Sequence, residues 1–213
     1  MEREKFVINI GRQLGSGGKP VGEIIARRLG IRLYDKELIN LAARESGLCP
    51  ACFEKADEQG RKGVFATLVG YLRAPFTGYE GGNTNNILAN ESLFRIQSDV
   101  IRDIASRESA IFVGRCADYI LRDHPRCVNV FITADEADRC ARICARVGCT
   151  EQEARAMMER TDARRASYYN YYSARSWGKA STYHLCVNSS VLGDEGTADL
   201  ILEFAARKLQ EQF

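Results

Sequence analysis

Apolar residues along the chain fall into two kinds of run: short continuous ones, and longer ones spaced three and four apart. The short runs are Phe6-Val7-Ile8-Asn9-Ile10, Ile31-Arg32-Leu33-Tyr34, Ala110-Ile111-Phe112-Val113, Val128-Asn129-Val130-Phe131-Ile132 and Leu185-Cys186-Val187-Asn188. Brief and rich in β-branched and aromatic residues, they predict buried strands. Helical spacing appears at Val21, Ile24, Ile25 and Leu29, and again at Leu38, Ile39, Leu41 and Ala42, where Asp35 caps the start. Leu93, Phe94, Ile96, Gln97, Val100, Ile101 and Ile104 predict an amphipathic helix ending near Arg107, and a shorter helix covers Ala117 to Leu121. A long helical stretch runs from near Asp135 to about Tyr172, broken around Gly148-Cys149-Thr150, with Thr150 and Glu153 as a capping box for its second half. The last helix starts at about Glu195 and carries Ala198, Leu200, Ile201, Phe204, Ala205 and Leu209. Strands alternating with helices predict an α/β fold: a five-stranded parallel sheet covered on both faces, with all strand C-termini on one edge.

Only the stretch from Gly47 to Asn90 breaks this rhythm. Glycines at 60, 63, 70, 78, 81 and 82 interrupt it, Asn83-Thr84-Asn85-Asn86 reads as a polar loop, and the whole suits a flap or an inserted lobe. At 213 residues the chain suits one domain carrying such a lobe, and 45% hydrophobic with 27% charged residues is a soluble globular composition. No apolar stretch nears the roughly 20 residues that cross a bilayer, the start does not read as a signal peptide, and a cytoplasmic location without membrane partners is expected. A net charge of +2 gives no reason to expect nucleic-acid binding. Arginines nevertheless crowd one segment, at 139, 142, 146, 155, 160, 164, 165 and 175, as a local anion site would require. Of eight cysteines, Cys49 and Cys52 have C-x-x-C spacing, open to a zinc or dithiol reading; Cys140 and Cys144 read as small core-facing residues.

The candidate chemistry sits where the first strand meets the first helix. Gly11, Gly15, Gly17 and Gly18 suit a loop of unusual backbone angles, and Pro20 fits a helix's first turn. Strand, glycine loop and helix in that order aim free N–H groups and a positive helix end at one point, which suits phosphate. Against the pattern G-x-x-x-x-G-K-[ST] two registers are open. With Lys19 as the lysine, Gln13 replaces the first glycine and Pro20 the hydroxyl; one residue earlier, Gly18 takes the lysine's place. An ordinary glycine turn is the plainer alternative. The same sheet edge receives Asp35, readable also as a mere cap, and Gly114-Arg115, whose planar fork suits a second phosphate. Arg160 and Arg164 share one helix face with Arg165 beside them, a lid cluster or a solvated face; the tyrosines from 168 to 172 stack on a base or pack internally.

Taken together, these residues make the chain resemble the nucleoside monophosphate kinases of the P-loop NTPase superfamily, specifically the cytidylate kinase-like family of bacteria. The likeness rests on Leu33-Tyr34-Asp35-Lys36, Glu159-Arg160-Thr161-Asp162-Ala163-Arg164, Gly114-Arg115-Cys116-Ala117-Asp118-Tyr119, the stretch from Arg164 to Tyr172, and Trp177-Gly178-Lys179. It implies a three-layer P-loop fold with an inserted helical lobe over residues 47–92 that binds the monophosphate, and a lid over 148–176. It implies transfer of the ATP γ-phosphate to CMP or dCMP with Mg2+. Gly15, Ser16, Gly17, Gly18 and Lys19 would hold the ATP phosphates; Asp35, Arg115 and Arg165 the monophosphate; Lys19, Arg160 and Arg164 would serve catalysis; Ser16 would stand in as metal ligand for the hydroxyl that Pro20 lacks. Val113 departs from the family in replacing an acid. The alternative is a nucleotide-binding regulatory or assembly protein with little transfer activity. Monomer and homodimer are both open.

Overall fold

The computed structural model describes residues 4–36, 38–39, 84–211 and 213. Its elements are β1 (Val7–Arg12), α1 (Gly18–Leu29), β2 (Arg32–Tyr34), α2 (Thr84–Arg107), β3 (Ala110–Val113), α3 (Ala117–Ile120), β4 (Cys127–Thr133), α4 (Glu136–Val147), α5 (Glu151–Ser173), a 3-10 turn (Ala180–Thr182), β5 (Leu185–Asn188) and α6 (Ser189–Leu209). The five strands form one sheet in the order β2-β3-β1-β4-β5, and each neighbouring pair runs parallel. The expected sheet is therefore present, with β1 at its centre.

The chain divides into two compact units, residues 1–38 with 101–213 and residues 39–100. Described residues of the second unit are Ile39 and the part of α2 up to Val100. The lobe expected over 47–92, with Cys49 and Cys52, lies for the most part outside the described residues.

In the first unit, strand alternation divides the core between two faces. Ile8, Ile10, Ile111, Val113, Val128, Val130 and Ile132 point to one side and pack with Val21 and Ile25 of α1 and Ala198, Ile201 and Ala205 of α6. Facing the other way, Phe131 packs edge-on to Trp177 at 5.2 Å between ring centres and against Tyr183 at 5.0 Å. Burial on both faces is why these strands read as continuous apolar runs rather than alternating ones. A polar pair nonetheless sits among them: in register on adjacent strands, Asn9 donates to the Asn129 carbonyl oxygen at 2.8 Å, which satisfies the Asn9 amide nitrogen, while among the described residues the Asn9 side-chain oxygen is buried without a partner.

Helix boundaries follow their caps. Asp35 accepts from the Leu38 N–H at 3.1 Å. The Thr150–Glu153 capping box is formed in both directions, at 3.3 and 2.8 Å. Two boundaries differ from the sequence expectation. α2 starts at Thr84, so the asparagine run opens a helix instead of a loop. α6 starts at Ser189 rather than Glu195, because Asn188 caps it by accepting from the Ser190 N–H at 2.9 Å, and Gly193 at φ 66° then kinks it. On α5, the inward line Ala154, Met158, Tyr169 and Ser173 is buried, and Asp162 and Arg165 lie on that line between them. Both reach the loop after β1.

Candidate functional site

At the C-terminal edge of the sheet, the loop after β1 is held by donors from elsewhere in the fold. The Arg12 carbonyl accepts from Arg165 at 3.0 Å, and the Gln13 carbonyl from the Ser16 hydroxyl at 3.0 Å. The Leu14 carbonyl accepts from Nε of Arg139 at 2.7 Å, the Gly15 carbonyl from Arg142 at 3.4 Å, and the Ser16 carbonyl from the Ser189 hydroxyl at 2.8 Å. Gly17 then caps α1 in the left-handed region at φ 75°, and its carbonyl accepts from the Val21 N–H. Successive carbonyls from 12 to 17 are thus spent on the protein. Among the described residues, the N–H groups of Gly15, Gly17 and Gly18 find no acceptor. Unspent amides at the start of a twelve-residue helix form a positive recess suited to phosphate oxygens.

The braces come from the arginine-rich segment. Arg139 is buried and pairs with Asp162, whose other oxygen accepts from the Leu14 N–H at 2.8 Å. Arg142 bonds the Ser189 hydroxyl at 3.2 Å and stands 3.3 Å from Asp194. Arg155 pairs with Glu136. Arg165 lies 3.7 Å from Asp162 with its side chain 25% exposed; burial lowers its pKa while Asp162 pulls the other way. These four arginines serve protein atoms, because loop carbonyls and a buried carboxylate need fixed donors. Arg165, expected at the monophosphate, is found bonded to the last carbonyl of β1. Arg160 is exposed and Arg164 half-buried, and among the described residues neither forms a hydrogen bond or ion pair.

The structure also fixes the register of the loop. In the phosphate-loop pattern the lysine follows the last loop glycine and opens the helix. Gly17 is that last glycine and Gly18 opens α1, so Gly18 stands in the lysine's place, Lys19 in that of the hydroxyl, and Arg12 in that of the first glycine. Lys19 lies one residue too far along; its ammonium is 2.7 Å from Asp35. Lys19, expected at the ATP phosphates, is thus found paired with Asp35. Ser16, expected as a metal ligand, is fully buried with its hydroxyl donating to Gln13. Pro20 has no hydroxyl, and no cluster of three or more His, Cys, Asp or Glu able to hold a metal exists among the described residues. A magnesium ion at this loop would be held mainly by water and the nucleotide's own oxygens, the usual coordination of that ion in phosphoryl-transfer sites.

Beside β1, β3 ends in a turn in which Gly114, Arg115 and Cys116 are all left-handed, at φ 78°, 59° and 56°. For the two non-glycine residues this costs of order 1–3 kcal/mol each, strain that concentrates at functional sites. The turn sets the Arg115 guanidinium 5.4 Å from the Tyr168 ring centre. Burial pushes the Tyr168 hydroxyl up to about 12 against the opposing Arg115 charge. Tyr168 thus packs on a cation. Behind it, Tyr169 donates to Asp118 at 2.5 Å, and burial raises the Asp118 carboxyl despite that bond. Cys116 is buried, which drives its thiol's pKa far up and makes it a poor nucleophile.

Sequence reasoning passed over Arg12, Ser189 and Asp194. Only Arg12 left a signal, an arginine where the phosphate-loop pattern has glycine, paired with a glycine where it has lysine.

Compared with known proteins, residues 7–191 match the model of the cytidylate kinase-like family. No curated protein gives a match. Among solved structures, an uncharacterized protein from Eubacterium ventriosum ATCC 27560 is 27% identical, covering 94% of this chain and 98% of that one, with a TM-score of 0.71. A gluconokinase from Sinorhizobium meliloti 1021 is 14% identical, covering 98% and 96%, with a TM-score of 0.52, which speaks for the fold. The chain belongs to the cytidylate kinase-like family and has the three-layer P-loop kinase fold.

Proposed function

We propose that this chain transfers the γ-phosphoryl group of ATP to the phosphate of CMP or dCMP. The observation that carries the reading is the loop of residues 12–17, its carbonyls all spent outward and its glycine amides unspent, one strand away from the Gly114–Arg115 turn. ATP phosphates bind the glycine amides; the monophosphate lies between Arg115 and the Lys19–Asp35 pair. An oxygen of the acceptor phosphate forms the new bond to the γ-phosphorus as the bond to the β–γ bridging oxygen breaks, and ADP leaves. Such a transfer asks for position and positive charge around the equatorial oxygens rather than covalent work by the protein. Arg160 and Arg164, without protein partners among the described residues, supply charge from the lid. The 47–92 stretch reads the base.

A coupled assay with MgATP and CMP, dCMP, UMP or AMP tests the reading. The expected outcome is turnover of about 1 s−1 or faster with CMP or dCMP and far less with the others. The lysine at position 19, where the pattern has its magnesium-binding hydroxyl, favours a second reading, a nucleotide-binding regulatory or assembly protein. ATP binding without transfer to any monophosphate is the outcome that selects it.

Two substitutions separate the roles. Arg115→Ala is expected to weaken CMP binding by about 2–3 kcal/mol, the worth of a charge-assisted contact; an unchanged affinity by calorimetry removes Arg115 from the site. Alanine at Arg160 or Arg164 is expected to lower kcat at least about tenfold with a smaller change in affinity, since charge reaching the developing phosphoryl acts in the transition state. Normal kcat in the double variant makes the pair a solvated face.

A further inference from the structure

Two glycines, one opening α1 and one in the turn after β3, record where the Arg12 side chain lies. A Cβ on Gly18 would stand 2.6 Å from Cβ and 2.8 Å from Cγ of Arg12, so the arginine stem crosses the first residue of α1. A Cβ on Gly114 would collide with the Arg12 guanidinium. The charged end thus lies against the Gly114 turn after β3, while the stem passes the start of α1. The backbone of Arg12 is fixed there as well, by Arg165 at its carbonyl.

We propose that the Arg12 guanidinium supplies the positive charge that a lysine at the helix start supplies in the phosphate-loop pattern, binding the outer phosphates of the donor nucleotide. This rests on the reading of the loop as the ATP-phosphate site. The exchange is reciprocal. Arginine replaces the first glycine of the pattern, and glycine replaces its lysine. The arginine requires the glycine, because any side chain at position 18 occupies the space of the Arg12 stem. Delivering the charge from β1 also brings a planar fork, which can bridge oxygens of two phosphate groups where an ammonium is a point charge. Lys19, engaged with Asp35, is released from this duty.

The test measures binding of ATP and of inorganic tripolyphosphate by calorimetry. Arg12→Met is expected to weaken both by about 10- to 100-fold, the range for a charge-assisted contact, and Arg12→Lys to recover part of the loss. The double variant Arg12→Gly, Gly18→Lys moves the charge to the helix start and is expected to bind both ligands within about tenfold of the native chain. Circular dichroism on each variant reports folding. If Arg12→Met binds both ligands normally, or if Lys19→Ala abolishes binding while Arg12→Met does not, the assignment is overturned. Should Arg12→Met fail to fold, the double variant decides: folded but unable to bind, it overturns the proposal. A native chain that binds neither ligand refutes the loop reading itself, a result distinct from any variant-specific one.

Discussion

Replacing Arg139 with alanine is expected to destabilise the protein by about 3–5 kcal/mol, the range for breaking a buried ion pair by removing one partner. Arg139 is 8% exposed. Its Nε holds the Leu14 carbonyl at 2.7 Å and its terminal nitrogen pairs with Asp162, which in turn holds the Leu14 N–H at 2.8 Å. Loss of the guanidinium leaves a mostly buried carboxylate with only Arg165, 3.7 Å away, for charge. It also frees the loop carbonyl. Lysine in its place is not expected to rescue, since a point charge cannot serve both acceptors. Urea unfolding measures the effect, and a change below about 1 kcal/mol would mean the network contributes no more than a surface pair. Replacing Arg139 and Asp162 together by methionine and leucine should recover much of the loss, because it removes the stranded charge.

The second large effect is on ligand binding. Gly17→Val is expected to reduce ATP affinity by at least about 100-fold, a loss of roughly 3 kcal/mol. The residue sits at φ 75°, which costs an L-residue roughly 1–2 kcal/mol. A Cβ there would lie 2.5 Å from Oδ1 of Asp194 and 2.9 Å from Nη1 of Arg142. Arg142 is paired with Asp194 and bonded to the Gly15 carbonyl and Ser189, so making room for the valine pulls on the loop along with these side chains, on top of the backbone strain. Displacement of the loop turns the Gly17 and Gly18 amides away from the phosphate. Calorimetry with ATP reads the loss, and melting curves separate it from unfolding. Unchanged ATP affinity in a folded Gly17→Val variant would reduce this loop to a turn, and both functional readings would fall with it.

Much of this architecture is legible one segment at a time. β-branched runs mark the five strands, three-and-four spacing marks the helices, and Thr150 with Glu153 marks a cap, because burial period and capping are decided by near neighbours in the chain. Parallel order follows from alternation and crossover handedness. The glycine loop, Asp35 and Gly114-Arg115 could be assigned to one edge on the same basis. Where local signals conflict, the sequence misleads: α6 begins six residues before Glu195, since Asn188 provides a cap and the kink at Gly193 hides the helical period.

The register of the phosphate loop was decided by tertiary structure alone. From the chain, Lys19 and Gly18 compete for one position; in the fold, α1 opens at Gly18, and the stem of Arg12 occupies the space above it. The arginine cluster carries the same lesson. Its composition suggests an anion site, yet Arg139, Arg142 and Arg165 spend their donors on loop carbonyls 125, 127 and 153 positions away in sequence. Composition shows that charge is abundant, but whether a guanidinium meets a ligand or a backbone oxygen depends on which distant carbonyl the packing of α4 and α5 brings within 3 Å or so of it. Local sequence therefore determined the elements and their order, and long-range packing determined which charged side chains brace the loop and which remain to meet a ligand.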